Sequence, residues 1–434
     1  MKIGKYFTTN NIIEGLFIAF LLSAFIYIEH FHLLSGYIKL TVNSLFALFG
    51  FYRLLKAKPP VWFFSGFFLS ISWLWWMAVS FIYYKMAYLM PLVIFGIGII
   101  YGLFFLILRF LVKKTAKMIE YKFYALFPSK TVPLLNVIAL IIINQFEPFG
   151  FNWLKLQLIF VESLFNVHLW SFIFILFTLA LFIIFKRYTI LLLLLFTIDL
   201  KHPSILKANL LRDIELITTD ISIEEKWKPQ NRSLYTKLLL NKTNRAIKKK
   251  KKLIIFPESL LPYFLNDANQ TLQELLTLSK KITIITGSLY DKSYGDYRNS
   301  AYIFKDGNYS IANKVVLVPF GEANPLPQWM GKIVNKIFFD GSIDYKGDKE
   351  FTTIKLLNKE FKIAICYEGT SAKTYQDNPR YLIVISNNGW FKPSIEPTEQ
   401  KLLLKFFSKL HKTTIYHSIN GSPSYVVVPH PEDL

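Results

Sequence analysis

Between residues 61 and 108 the chain has a single charged side chain, Lys85. The runs on either side of it, residues 61–84 and 88–108, contain no Asp, Glu, Lys or Arg. Each exceeds the ~20 apolar residues that cross a ~30 Å hydrocarbon layer as a helix. Helices apolar on every side are membrane spans or the centre of a large core, and long apolar blocks joined by short basic connectors favour the membrane. This feature makes the first half of the chain a membrane domain. Residues 167–185 form a third clear span, and residues 12–28 a fourth despite Glu14. Residues 40–52, 134–146 and 190–198 are shorter, a length shared with interfacial or re-entrant segments. Counting all seven, basic residues gather in alternate connectors: Lys2 and Lys5; Arg53, Lys56 and Lys58; Lys113, Lys114 and Lys117; Lys186 and Arg187. The intervening connectors are poorer in them, so the excess of cations on the cytoplasmic side places the N-terminus there and the chain beyond Leu200 on the opposite side. The opening MKIGKYFTTNN leads to no small-residue cleavage site, and the first apolar block is expected to stay as a span.

Fifty Lys and Arg against 29 Asp and Glu give a formal charge of +21. In a soluble protein that surplus would suggest nucleic acid. Here 53% of residues are hydrophobic and they come in blocks, so nucleic acid is excluded and cationic loops beside a bilayer are expected. The five lysines 248–252 read as lipid-head contacts or as a solvated helix end. Cys366 is the single cysteine. It has no internal disulfide partner, and no Cys/His cluster has metal-ligand spacing, so no metal and no organic cofactor is expected.

Beyond residue 200 the texture changes. Strand-like runs recur at 214–219, 252–256, 282–287, 314–318, 361–365, 381–386 and 424–428, with helix-like stretches such as ANQTLQELLTLSKK between them. Alternating strands and helices predict an α/β domain. The expected division is a transmembrane helical domain over 1–200 and a catalytic domain over 201–434. Three strand ends carry reactive groups, and ends of buried parallel strands are where α/β sites form. Glu258 follows LIIFP, Lys314 opens KVVLV with Glu322 beyond it, and Cys366 ends FKIAI with Glu368 two residues on. A thiol attacks as thiolate and needs a base to take its proton. A fixed ammonium stabilises the oxyanion that forms at an attacked carbonyl. Glu, Lys and Cys thus make a complete acyl-transfer set.

With these residues in place, the sequence resembles the apolipoprotein N-acyltransferases, membrane members of the nitrilase (carbon–nitrogen hydrolase) superfamily. Their Glu-Lys-Cys triad matches Glu258 in FPES, Lys314 in NKVVLVPFGE and Cys366 in ICYE. Further matches are Lys226-Trp227 in EEKW, Asn299 in YRNSAYIF, SNNGWF at 386–391, and GFNW at 150–153. The resemblance implies an αββα nitrilase-like sandwich after the membrane helices and a supporting carboxylate at Glu322. It implies that Tyr367, Glu368, Trp227 and Trp390 line the lipid pocket or shape the acyl-enzyme, although Trp227 is also readable as a packing residue. It further implies a phospholipid acyl donor, a diacylglyceryl-apolipoprotein acceptor, contact with membrane lipids, a monomer, and a bacterial inner membrane protein whose catalytic domain faces the periplasm. Two other readings share the residues: a membrane-tethered amidase or nitrilase in which water resolves the thioester, and a catalytically silent membrane scaffold. The chain departs from the family at Asn388-Gly389, where the family has Asp-Ala, and at Ile419 in SING, where it has Asn. The family's usual final strands and last membrane span are expected to be missing, since no apolar stretch of spanning length follows residue 200.

Overall fold

The computed structural model describes residues 7–122, 131–208, 211–293, 295–319, 321–322 and 345–430. Its chain forms two compact units. The first comprises Met1–Glu147, Asn152–His202 and Pro393–Phe406; the second comprises Pro148–Phe151, Pro203–Lys392 and Phe407–Leu434. Each unit borrows a piece of chain from the sequence range of the other.

The first unit is helical. Helices α1 (Thr9–His30), α2 (Gly36–Lys56), α3 (Pro59–Leu74), α4 (Met90–Lys122), α5 (Thr131–Asn144) and α6 (Leu169–Phe185) follow in order. Thr8 caps α1 by accepting from the Asn11 N–H, and Pro59 opens α3 where no backbone donor is needed. Among the described residues four segments are long and apolar enough to cross a membrane: Thr9–His30, Gly36–Lys56, Pro59–Ile82 and Ala87–Ile119. Three of the seven expected spans are shorter apolar helices, Thr131–Asn144, Leu169–Phe185 and Tyr188–Thr197. The observed count is therefore at least four, with 167–185 among the shorter ones. Small residues let these helices approach closely: a Cβ on Gly15 would lie 2.3 Å from Phe64 Cβ, and one on Gly66 would lie 2.7 Å from the Phe105 ring. Leu92, Phe95, Leu103, Ile107 and Leu111 leave one face of α4 apolar and exposed, as a lipid-facing helix requires. One set of buried charges in the unit is paired. Lys39 reaches Glu29 at 3.0 Å and Glu162 at 2.7 Å, Lys401 reaches Glu29 at 2.9 Å, and Lys405 pairs with Glu162.

The second unit is a two-sheet sandwich flanked by helices. Its strands are β1 (Ser204–Lys207), β2 (Ile214–Leu216), β3 (Leu253–Ile255), β4 (Leu261–Phe264), β5 (Thr283–Asp291), β6 (Tyr297–Lys305), β7 (Asn308–Asn313), β8 (Thr353–Leu356), β9 (Lys359–Ile365), β10 (Tyr381–Asn387), β11 (Thr414–Asn420) and β12 (Tyr425–Val428). One sheet runs β2-β3-β5-β6-β7 with β4 beside β5; the other runs β1-β12-β11-β10-β9-β8. β2, β3 and β5 are parallel, as are β9, β10 and β11. Apolar side chains such as Ile255, Ile285, Ile303, Ile363 and Ile385 fill the space between the sheets, while α8 (Arg232–Lys248) and α9 (Asn269–Ser279) cover the outer face of the first sheet with Leu239 and Leu275. At the seam, the Ser418 hydroxyl lies 2.8 Å from the Ile217 carbonyl and 3.0 Å from the Ile255 carbonyl, tying β11 to the opposite sheet.

One expected strand does not form. Residues 314–318 were expected to pair as a strand, yet β7 ends at Asn313 and the chain bends from Lys314 onward. The backbone N–H groups of Val315 and Val316 donate to the Glu368 carboxylate, and that of Val318 donates to Glu322. Carboxylates take the donors that a ladder would have used. The lysine run 248–252 also has a structural explanation. Lys249 pairs with Glu215, Lys252 pairs with Asp213, and Lys251 donates to the carbonyls of Leu211 and Arg212.

Candidate active site

The C-terminal ends of β3 and β9, with the segment leaving β7, bring the reactive residues into one buried cluster. After β3, Phe256-Pro257 leads into Glu258, which is 6% exposed. The turn crosses β5 at Gly287, where a Cβ would stand 2.3 Å from the Ser259 nitrogen. Only glycine leaves room for the backbone there. The Glu258 carboxylate accepts from Asn299 Nδ2 at 2.8 Å, and Lys314 Nζ stands 3.8 Å from the same oxygen.

Asn299 lies on β6 and donates equally to Glu322 Oε1, also at 2.8 Å. Glu322 completes the contact with Lys314 at 2.7 Å. One amide and one ammonium therefore hold two carboxylates side by side. Lys314 is 1% exposed. Burial opposes its charge, but Glu322, Glu258 and Cys366 outweigh that penalty and raise its pKa above the ordinary lysine value. It is a permanent cation at any physiological pH.

Cys366 sits where β9 ends, with φ of 54°, in the left-handed region that a side chain with a Cβ rarely adopts. Such a conformation costs about 1–3 kcal/mol and persists only where the surroundings enforce it. The enforcement comes from Glu368. Its Oε2 accepts from the Ile365 N–H at 2.7 Å, as the residue three positions into a helical turn does in a capping box. Its Oε1 accepts from Val315 N at 2.5 Å and Val316 N at 2.8 Å. Glu368 is 1% exposed, and burial pushes its carboxyl up to about 7 against the opposing pull of Lys314 and the three N–H donors. One side chain thus fastens the cysteine turn to the segment that begins with Lys314.

The remaining expected residues take different places. Tyr367 donates its hydroxyl to the Gly150 carbonyl at 2.7 Å and stacks on Phe151, with ring centroids 5.9 Å apart. The first half of the GFNW stretch therefore belongs to the second unit, a placement that its position among apolar runs conceals. Trp390 lies in the helical turn Asn388–Phe391 that follows β10. Trp227 closes the short helix α7 (Ile223–Lys226) and is 39% exposed, on the surface rather than in the core. The departures from the family pattern are absorbed locally. Asn388 is buried and its Nδ2 lies 3.4 Å from Ser422 Oγ; Ile419 is fully buried, with its N–H donating to Ser424 Oγ at 3.0 Å. Among the described residues no group of His, Cys, Asp and Glu could hold a metal ion.

Lys226 is a member of the cluster to which the sequence gives no role. It is 1% exposed, and Nζ donates to the Glu258 carbonyl at 2.9 Å. Burial lowers its pKa to about 8, with Glu258 and Cys366 partly offsetting that effect. Sequence alone marks Lys226 only as half of the Lys226-Trp227 match in EEKW, with no role attached.

Chemically, the cluster offers a carboxylate, a thiol on a constrained turn and a buried ammonium within electrostatic reach of both. This is what acyl transfer through a thioester requires. Comparison with known proteins divides the chain at a similar place. The family model for the apolipoprotein N-acyltransferase integral membrane domain matches residues 9–202, and that for carbon-nitrogen hydrolase matches residues 213–406. The apolipoprotein N-acyltransferase of Wolinella succinogenes is 37% identical over 96% of this chain and 95% of its own. That of Campylobacter jejuni is 33% identical over 98% and 92%, and that of Helicobacter pylori is 33% identical over 91% and 89%.

Proposed function

Because the chain belongs to the apolipoprotein N-acyltransferases, bacterial membrane enzymes of acyl transfer, we propose that it moves an acyl chain from a phospholipid to the α-amine of an apolipoprotein's diacylglyceryl-cysteine through a thioester on Cys366. In this reading Glu258 takes the proton from Cys366 Sγ, and the sulfur attacks the ester carbonyl of the phospholipid. Lys314 faces the oxyanion. As the C–O bond breaks, the lysophospholipid oxygen receives the proton from Glu258 and leaves. The acceptor amine then attacks the thioester carbonyl and gives its proton to Glu258. The C–S bond breaks, and the proton returns to sulfur. Asn299 and Glu322 hold Glu258 and Lys314 in register, and Glu368 holds the cysteine turn. Trp227, Trp390 and Tyr367 supply apolar surface for the chains. One polypeptide provides every group, so a monomer suffices.

The division of labour follows the sequence boundary near residue 200: residues 1–200 anchor the enzyme and admit lipids, and residues 201–434 carry the chemistry. The catalytic unit faces the periplasm of the inner membrane, where both lipid substrates are found. The observation that carries the proposal is the constrained Cys366 turn beside Lys314 and Glu258. The test withholds the acceptor. Incubated with phospholipid alone, the purified protein should gain one fatty-acyl mass on the peptide containing Cys366, removable by neutral hydroxylamine. Adding a diacylglyceryl peptide with a free amine should clear the label and yield a triacylated peptide. Cys366→Ser should abolish the labile adduct. An amidase would release free fatty acid or remain uncharged, and a silent scaffold would not charge. An acyl mass elsewhere on the chain would refute the Cys366 route.

A further inference from the structure

Two carboxylates, Glu258 and Glu322, share Lys314 at 3.8 and 2.7 Å. Proton transfer from Cys366 to Glu258 keeps the total charge of the site constant while moving a negative charge onto sulfur. The site therefore carries more anionic than cationic groups throughout, unless a second cation is present. Lys226 is that cation. Its ammonium is almost entirely buried, and among the described residues its one hydrogen-bond acceptor is the Glu258 carbonyl, 2.9 Å away. A single neutral carbonyl does not offset the several kcal/mol that burying an ammonium costs. What keeps it charged is the anionic site itself, since Glu258 and Cys366 both favour its proton.

The backbone geometry supports the same conclusion. The Glu258 turn is strained and held by two backbone contacts. Gly287 N donates to the Pro257 carbonyl at 3.3 Å, Ser259 takes a φ of 48°, and Lys226 grips the Glu258 carbonyl. The carboxylate end is held separately by Asn299. Without Lys226, the carbonyl of a strained turn would be buried and unpaired, and the turn would relax away from β5. Lys226 itself is delivered by α7, whose N-cap Ser222 accepts from the Glu225 N–H at 3.4 Å.

We infer that Lys226 is a positioning residue for the general base: its ammonium fixes the Glu258 turn through the carbonyl and balances the charge that passes from Glu258 to Cys366. The inference rests on the reading of Glu258 as the base that serves Cys366. It assigns a role to the residue beside Trp227 rather than to Trp227 itself, and it makes α7 part of the catalytic apparatus.

The test uses the full-length protein in detergent with two readouts: the rate of Cys366 alkylation by iodoacetamide as a function of pH, and the rate of acyl-enzyme formation from phospholipid without acceptor. Four variants are compared: Lys226→Met, Lys226→Gln, Lys226→Arg and Glu258→Gln. Lys226→Gln keeps a donor for the carbonyl and loses the charge. It is expected to move the thiol's alkylation midpoint to higher pH and to slow acyl-enzyme formation about tenfold or more, the scale of one misplaced proton-transfer group, with KM for phospholipid unchanged. Lys226→Met should be slower still, and Lys226→Arg should recover part of the loss. If Lys226→Met does not fold, Lys226→Gln and Lys226→Arg decide the matter. A folded Lys226→Gln with the wild-type alkylation profile and acylation rate overturns the inference. When Glu258→Gln shifts the profile and Lys226→Gln does not, only the role of Lys226 fails. When Glu258→Gln leaves the profile unchanged, the base reading fails, and a Lys226 effect seen alone would overturn the positioning route as well. In the double variant, Lys226→Gln should add little to Glu258→Gln, because two residues acting through one group are not additive. A fully additive double variant contradicts the inference.

Discussion

Replacing Glu368 by glutamine exchanges one carboxyl oxygen for an NH2 group and hardly changes the volume, yet it is expected to disable both the cysteine turn and Lys314. The carboxylate presents two acceptor oxygens to three N–H groups: Ile365 on one side, Val315 and Val316 on the other. Glutamine has one oxygen. Its least costly orientation keeps Val315 and Val316 and turns the amide NH2 against the Ile365 N–H, leaving two buried donors without acceptors. At about 1–3 kcal/mol for each unsatisfied group, the loss is about 2–6 kcal/mol. That is a large part of the ~5–15 kcal/mol that holds a domain folded, and corresponds to a fall of roughly 4–24 °C in melting temperature for a unit of this size. The same change frees the bend that carries Lys314, so turnover should fall by about 10²–10³, as if an oxyanion donor had been removed. Thermal unfolding followed by protease resistance of the catalytic unit gives the first number, and acyl-enzyme formation from phospholipid gives the second. Glu368→Asp retains the charge but is one methylene too short to reach both sides, and should fall between. A Glu368→Gln protein that melts within about a degree of wild type and charges normally would refute the fastening argument.

Three further outcomes are expected. Lys314→Met should lose about 10²–10³ in rate with little change in KM, because its charge acts on the transition state, and Lys314→Arg should rescue poorly, since a planar fork does not replace a point charge; near-normal turnover of the methionine variant would sink the oxyanion role. Reporter domains fused after Lys58, Lys117 and Arg187 should report cytoplasmic and one after Trp227 extracytoplasmic, so a cytoplasmic signal at the last site would reject the periplasmic assignment. In the helical unit, Glu396 and Glu399 are buried, each with one carboxyl oxygen lacking a partner, and burial raises both pKa values well above the ordinary carboxylate range. A carboxyl whose folded pKa is raised stabilises the fold below its unfolded pKa, near 4.5, and that contribution is lost as pH climbs toward the folded value. Melting temperature should therefore decline from about pH 4.5 upward. Glu399→Gln, which keeps an acceptor for Trp76 Nε1 at 2.7 Å, should flatten the decline; an unchanged slope would show that the carboxyl does not titrate in this range.

Strand ends were the legible part of this molecule. Apolar β-branched runs stopped by Pro257 or Cys366 announce parallel strands with polar groups at their tips, and the structure brings Glu258 and Lys314 within 3.8 Å. What misled was side-chain capture of backbone donors. Residues 315–318 have strong strand propensity, but Glu322 and Glu368 compete for the N–H groups of Val315, Val316 and Val318, and propensity registers neither competitor, least of all Glu368 dozens of residues away. Lys226 shows as part of the EEKW match, but its place was hidden for the opposite reason, because a lysine among charges reads as solvated until tertiary contacts bury it. The same holds for Glu396 and Glu399, whose polar helix folds with the apolar unit, and for Gly150-Phe151, which sit between spans and yet join the catalytic sandwich. Span number was only coarsely readable, because apolar composition does not say how far a segment continues as regular helix.

The left-handed backbone at Cys366 bears on how such a gene would decay. A glycine at 366 adopts that conformation without strain, so Cys366→Gly releases part of the ~1–3 kcal/mol stored there. Cys366→Ser, by contrast, keeps the strain and loses the thiol. If Cys366 is the nucleophile proposed above, the substitution that most readily relieves this strain also removes it. A lineage in which acyl transfer no longer mattered would have every thermodynamic reason to drift to glycine there. On the proposed route, the strain at this one position is the cost of presenting the thiol.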